Sequence, residues 1–342
     1  MAAKQYSWLS VQVIYRHPGD SIGILLVKPY CVFLQCVSSQ LEEGTEREIT
    51  LSHLLAPHPH ICLVRAVLST PTPSLPTAYI LRDCISGEPL SQFLPKQRQL
   101  LSPKDYTQFV LLSLVQVFSA LSYLHRNSVC HRDIGLDCLH AVPHGTHWLV
   151  RLSGFHYSLH RPGPVTATSF IDSYHELKWL GGADSRLPPE IMDTPANAQT
   201  LDYSRTDCFA VGCTIYEMMG HKNPFESDPD LVYQKYMEGD LPRFTPASPL
   251  LQHLADKLLR REPLRRPDAS TALLITEAQL WLPHSWLREP ASEILVSHHL
   301  AYERAQLVAH FARTAPILPL ILKAKFLSSC DVPELIRALS IP

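Results

Sequence analysis

What this sequence lacks narrows the question first. Charge of one sign is missing: 30 basic residues stand against 32 acidic ones, a formal net charge of -2 over 342 residues. A nucleic-acid footprint or a basic face steering the chain to membranes is therefore not expected. No C-x-x-C spacing occurs among the nine cysteines, Cys31, Cys36, Cys62, Cys84, Cys130, Cys138, Cys208, Cys213 and Cys330. Their odd number and scatter predict free thiols in a reducing cytosol. A third ligand at a usual spacing is missing beside the close histidines, His58 with His60 and His298 with His299, so no metal is predicted among the 18 histidines. A bilayer-length apolar run is missing too. The most apolar stretch, Phe109 to Leu124, is short and interrupted by Ser113, Gln116, Ser119 and Ser122, and reads as a buried helix rather than a membrane insertion. Met1 to Ser10 has no apolar segment of the secretory type, so a cytoplasmic protein is expected.

What is there is enough apolar residue, 46%, to fill a sizeable core. Residues 7 to 84 are rich in short β-type runs, such as Val11 to Tyr15, Ile22 to Val27, Tyr30 to Val37 and Ala78 to Leu81, with Pro and Gly in the spacers. One helix interrupts them, from about Thr45 to Leu55, ending before Pro57. At Ser102 the character changes. Ser102-Pro103-Lys104-Asp105 offers an N-cap, a proline at the first helical position and an acid at N3, followed by an apolar helix to about His125. Helical periodicity dominates the remainder. A strand-rich half followed by a helix-rich half predicts an α+β protein of two lobes.

Four motifs then stand in a telling order. Tyr123-Leu124-His125 through His131-Arg132-Asp133-Ile134-Gly135-Leu136-Asp137-Cys138 resembles the catalytic loop of protein kinases, which also follows a long helix. Downstream, Pro188-Pro189-Glu190 stands for A-P-E, and Asp207-Cys208-Phe209-Ala210-Val211-Gly212 for D-x-W-x-x-G. Glu262-Pro263-Leu264-Arg265-Arg266-Pro267 is similar to D-P-x-x-R-P at the end of the kinase C-lobe. The resemblance implies a bilobal protein-kinase-like fold with residues 1–85 as N-lobe, 86–284 as C-lobe and 285–342 as a C-terminal helical extension. It also implies that Glu190 pairs with Arg266, and that Asp207 accepts backbone hydrogen bonds from His131-Arg132.

Kinase catalysis is mostly positioning and charge neutralisation, so the test is whether the charged parts survive. Between Val11 and Leu26 only Gly19 and Gly23 occur, with no G-x-G-x-x-G to wrap phosphates. The strand-three lysine falls on Gln35, in Val32-Phe33-Leu34-Gln35, a neutral amide. Glu48 occupies the helix-C position without that lysine partner, and an ordinary exposed helix acid is the other reading of it. The magnesium-binding asparagine is Cys138, and D-F-G is Gly154-Phe155-His156. A thiol and a glycine do not hold Mg²⁺. Asp133, the nominal base, persists, but the lysine two residues on is Gly135. No phosphotransfer, no catalytic residue beyond this vestige and no nucleotide cofactor are expected.

The chain continues past Trp281, where the kinase domain should end. Glu293 to Ala315 carries Ile294, Leu300, Ala301, Ala305, Val308, Phe311 and Ala312 at helical spacing; Pro316 and Pro319 break it, and Leu320 to Leu327 resumes. Asp331-Val332-Pro333-Glu334 predicts a capping box opening a last helix through Leu339. These helices either pack on their own lobe or form a dimerisation module. Ala278 to Pro283, Tyr302 to Ala305 with Phe311 to Ala315, and Lys325 to Cys330 together resemble the PEAK/Pragmin pseudokinases. That resemblance implies a split helical dimerisation domain, with Leu300, Ala301, Ala305, Val308, Phe311 and Ala312 in the interface. It implies partnership with self and related pseudokinases, and scaffolding of signalling adaptors and tyrosine kinases, with a link to the cytoskeleton and cell motility.

Weaker signals favour bland readings. Pro71-Thr72-Pro73-Ser74-Leu75-Pro76 holds a P-x-x-P without a flanking arginine and reads as a stiffened loop. Thr166, Thr168, Ser169 and Tyr174, in the former activation segment, read as solvated hydroxyls. The rival hypothesis is a divergent active kinase, or another nucleotide-dependent transferase, using Asp133. Against it, Asp137 is the only additional acid near Cys138 or Gly154.

Overall fold

The computed structural model describes residues 11–15, 22–27, 30–37, 43–70, 77–83, 87–161, 171–173, 186–192, 200–203, 205–227, 236, 237, 239–246, 248–287, 292–313 and 317–340. The β-rich runs become β1 (Val11–Tyr15), β2 (Ile22–Val27) and β3 (Tyr30–Val37), then helix α1 (Glu43–Leu54), then β4 (Val64–Thr70) and β5 (Thr77–Asp83). The strands form one antiparallel sheet in the order β1-β2-β3-β5-β4. Helix α1 begins two residues before the predicted start, and its Leu51 is buried. The chain beyond it is stitched to the second lobe: Cys62 N–H donates to the Leu152 carbonyl at 2.8 Å, and Leu152 N–H donates back to that of His60 at 2.9 Å.

The second lobe runs β6 (Glu88–Pro89), α2 (Leu90–Leu100), α3 (Pro103–Arg126), β7 (Val129–Cys130), β8 (Leu139–His144), β9 (His147–Leu152), β10 (Leu159–His160), β11 (Ile171–Ser173), α4 (Pro189–Met192), β12 (Thr200–Asp202), α5 (Thr206–Met218), α6 (Pro224–Ser227), α7 (Pro249–Leu258) and α8 (Ala269–Trp281). Helix α3 starts where the sequence marks it, the Ser102 hydroxyl accepting from Asp105 N–H at 3.2 Å. By length and composition it is the one described helix able to cross a membrane, but Val110, Leu114, Phe118, Leu121 and Leu124 are buried in the core. Each such burial stabilises the fold by about 1.5–3 kcal/mol. Its far end is keyed to α8, with the hydroxyls of Ser122 and Ser270 2.8 Å apart.

Helices α9 (Glu293–Phe311), α10 (Leu318–Ser329) and α11 (Val332–Ser340) follow. Pro319 does not break this region: it lies in the first turn of α10, where a missing N–H costs nothing. Asp331 caps α11 by accepting from Glu334 N–H at 2.8 Å. A second apolar cluster joins the extension to α8: Ala278 and Leu282 meet Val296, Leu300, Leu307, Phe326, Leu327, Leu335 and Leu339. Trp281 tilts against Phe326 at 5.4 Å. Packing on the chain's own lobe is therefore real for one face of α9.

Candidate functional site

Between β7 and β8 the chain makes the loop His131 to Cys138, and its geometry is imposed from below by α5. The buried Asp207 carboxylate accepts from the N–H of His131 at 2.9 Å and of Arg132 at 2.8 Å. His125 Nε2 donates to the same carboxylate at 2.8 Å. Burial alone would raise the Asp207 pKa, but the His125 hydrogen bond and charge, with His131, outweigh it and hold it at about 2. The grip sustains a strained backbone, since Arg132 sits at φ 66°. Arg132 Nε donates to the Tyr157 carbonyl at 2.7 Å, and its guanidinium lies 5.0 Å over the Tyr203 ring.

His131 carries the next link. Its Nε2 lies 3.0 Å from the Ser153 carbonyl and its Nδ1 3.3 Å from the Asp133 N–H. Only the Nε2-protonated neutral ring satisfies both. Burial lowers the His131 pKa and favours that form. Asp133 is half-buried, and burial raises its pKa against the pull of His131, Arg186 and His156.

The two positions that the kinase resemblance assigns to magnesium ligands converge. A Cβ added at Gly154 would lie 3.5 Å from the Cys138 Cβ, so the places of asparagine and aspartate face each other as in a metal site. Their chemistry does not serve one. The Cys138 thiol is turned onto its own loop, donating to the Gly135 carbonyl at 3.1 Å with the Gly135 N–H 3.3 Å from Sγ. Burial pushes its pKa up to about 12, so it stays a neutral thiol, whereas metals bind thiolates. Gly154 has φ 83°, a conformation an aspartate would adopt only with strain. Phe155, fully buried, meets the His131 ring edge to face at 4.9 Å.

Glu48 is 3% exposed, which overturns its reading as an exposed helix acid. Its Oε2 lies 3.5 Å from His156 Nε2, so helix α1 addresses the Gly154-Phe155-His156 turn. Gln35 stands in β3 opposite Ile22 and Ile80, and its side chain lies outside the description. Gly23 is in β2; Gly19, Pro71 to Pro76, Thr166, Thr168, Ser169, Tyr174 and Ala315 lie outside the described residues. Glu190 of α4 holds Arg266 through two bonds, 2.6 Å to Nη1 and 3.1 Å to Nη2, and the guanidinium lies 4.9 Å over Phe209. Among the described residues one trio, His125, Cys130 and Asp207, is close enough to share a metal ion. Both Asp207 oxygens already accept from the loop, and burial keeps the Cys130 thiol protonated, so this is a hydrogen-bonded floor.

On α9, Leu300 is buried within the chain and Phe311 half-buried against the same cluster, whereas Ala301, Ala305, Val308 and Ala312 face outward. The sequence reading missed His125, His156, Arg186 and Glu217 as parts of the site. His125 and His156 had a local signal, since each stands within a motif segment, Tyr123 to Cys138 and Gly154-Phe155-His156.

Comparison with known proteins identifies the family and the fold. The profile of the protein kinase domain matches residues 31–277, and the chain belongs to that family. It is 29% identical over 254 residues to the mitochondrial serine/threonine-protein kinase Pink1 of Tribolium castaneum, covering 68% of this chain and 44% of that one. It is 32% identical over 199 residues to the inactive tyrosine-protein kinase PEAK1 of Homo sapiens, covering 53% of this chain and 11% of that one. The chain thus spans less than half the length of either curated relative. The crystal structure of the PEAK1 pseudokinase superposes over 100% of this chain and 90% of its own, with a TM-score of 0.70 at 22% identity, a likeness of fold.

Proposed function

We propose that the chain is a catalytically inactive kinase-like scaffold, working as a dimer that brings signalling adaptors and tyrosine kinases together. The observation that carries the inactive half is the closed, neutral Cys138 thiol facing Gly154. Neither offers the hard oxygen that Mg²⁺ takes, and with Gln35 for the lysine the phosphate charge stays unneutralised. Likeness to PEAK1, itself described as inactive, supports the same reading.

The dimer half is supported by the outward face of α9. Ile294 and Val308, each 70% exposed, share one stripe with the exposed Ala301, Ala305 and Ala312, and Tyr302, 60% exposed, flanks it. Small residues between large ones let an identical helix approach closely, so the occupant is a second copy or a related pseudokinase. A cytoplasmic, cytoskeleton-associated setting belongs to the same proposal.

Retention of Asp133 and the likeness to Pink1 favour one second reading, an active divergent kinase. Radiolabelled-ATP transfer and a thermal-shift titration with Mg-ATP separate the two. No transfer and no shift are expected. Transfer that vanishes in Asp133→Asn would establish the enzyme and sink the inactive reading. Light-scattering mass addresses the dimer: wild type should be a dimer and Ala305→Glu a folded monomer, because a charge cannot be buried unpaired. Monomeric wild type at micromolar concentration would refute it.

A further inference from the structure

Gly135 is not an empty place. The guanidinium of Arg186, which precedes the Pro188-Pro189-Glu190 stretch, lies against it: a Cβ built on Gly135 would stand 3.3 Å from Cζ and from Nη1. Arg186 Nη2 donates to Glu217 Oε1 of α5 at 2.6 Å, with both side chains mostly covered. Three acids share the field of Arg186, and a fourth, Asp137, acts on Glu217. Asp133 feels Arg186, Arg186 feels Glu217 and Glu226, and Glu217 feels Glu226 and Asp137.

The space over Gly135, two residues from Asp133, is therefore filled by the guanidinium, and its charge reaches Asp133. A lysine at 135 would run its stem into the guanidinium and bring a second cation to it. A basic side chain from outside would find its carboxylate partner taken. The pair is also imperfectly satisfied, since Arg186 Nε and Glu217 Oε2 are buried with no hydrogen-bond partner. Orphaned polar atoms are costly, so the contact is poorly explained as a fold-stabilising device.

We infer that Arg186 is a built-in occupant of the acidic pocket over Gly135, replacing the missing lysine in space and charge and closing the pocket to basic peptide segments. It goes beyond the scaffold reading and holds whether or not the chain transfers phosphate, so ATP turnover by wild type would sink that reading and leave this one standing.

Two measurements on the full chain test it. In fluorescence anisotropy with a labelled tetra-arginine peptide, Arg186→Ala and Arg186→Gln should each bind about tenfold or more tighter than wild type, the scale expected for uncovering a charge partner. The gain should vanish in Arg186→Ala/Glu217→Gln. In thermal unfolding, Gly135→Lys should lower Tm clearly in wild type and much less on the Arg186→Ala background, because the two side chains compete for one volume. Equal peptide binding by wild type and both Arg186 variants, including no binding by any, would overturn the inference. So would the same Tm drop from Gly135→Lys in both backgrounds.

Discussion

Replacing Asp207 by Asn keeps the shape of the side chain and removes its charge, which isolates what holds the 131–138 loop. In the folded chain four donors converge on that carboxylate, the N–H groups of His131 and Arg132 and the His125 ring at 2.8 to 2.9 Å and the Cys130 thiol at 3.4 Å. An amide offers one oxygen and turns an NH₂ toward the other donors. Each buried donor left without an acceptor costs about 1–3 kcal/mol, so a loss of about 2–5 kcal/mol follows at neutral pH. The pH dependence has a definite sign. The folded pKa, about 2, lies below the ordinary 3.8, so the carboxylate stabilises the fold above its ordinary range and that stabilisation is lost as pH falls from about 4 to 2. Its full worth is about 2–3 kcal/mol, of which about 1 kcal/mol has gone by pH 3. Urea unfolding of wild type and Asp207→Asn at pH 7 and pH 3, followed by tryptophan fluorescence, should give a gap that narrows on acidification. A gap below about 1 kcal/mol at pH 7, or one indifferent to pH, would refute the argument.

Glu190→Gln should lower stability by about 3–5 kcal/mol in thermal melts, because it strands the Arg266 guanidinium, 1% exposed; a melt within one degree or so of wild type would contradict the pairing. Cys138, its pKa pushed up to about 12, should resist iodoacetamide at pH 7.5 in the native chain and react in denaturant, as read by peptide mass mapping; fast native labelling would mean an open thiolate. Leu327→Ala, which empties a side chain 1% exposed, should cost about 2–5 kcal/mol and raise hydrogen exchange in α10, and unchanged exchange would argue against that cluster holding the extension.

The C-lobe was readable because its motifs are charged residues locked to each other. Glu190 and Arg266, or Asp207 and the 131–132 backbone, are pairs whose chemistry forbids drift. Helix starts were readable where a cap stands beside them, as at Ser102 and Asp331. Strand β4 was not singled out and Pro319 was misjudged, since a proline in a first turn and one that ends a helix look alike without knowing where the turn begins. Burial of Glu48 and the approach of Arg186 to Gly135 left no trace in spacing. Both depend on segments far apart in the chain, and periodicity reports only neighbours on one element.

Helix α1 touches the turn after Gly154 directly: a Cβ on Gly44 would meet the His156 Cβ at 3.0 Å, and Glu48 reaches the same ring. The turn carries Phe155, which is wedged against His131 of the loop. Close-packed groups transmit displacement rather than absorb it. A tilt of α1 is thus passed to the loop mechanically, through side chains already in contact, because the turn between them has no slack to take it up.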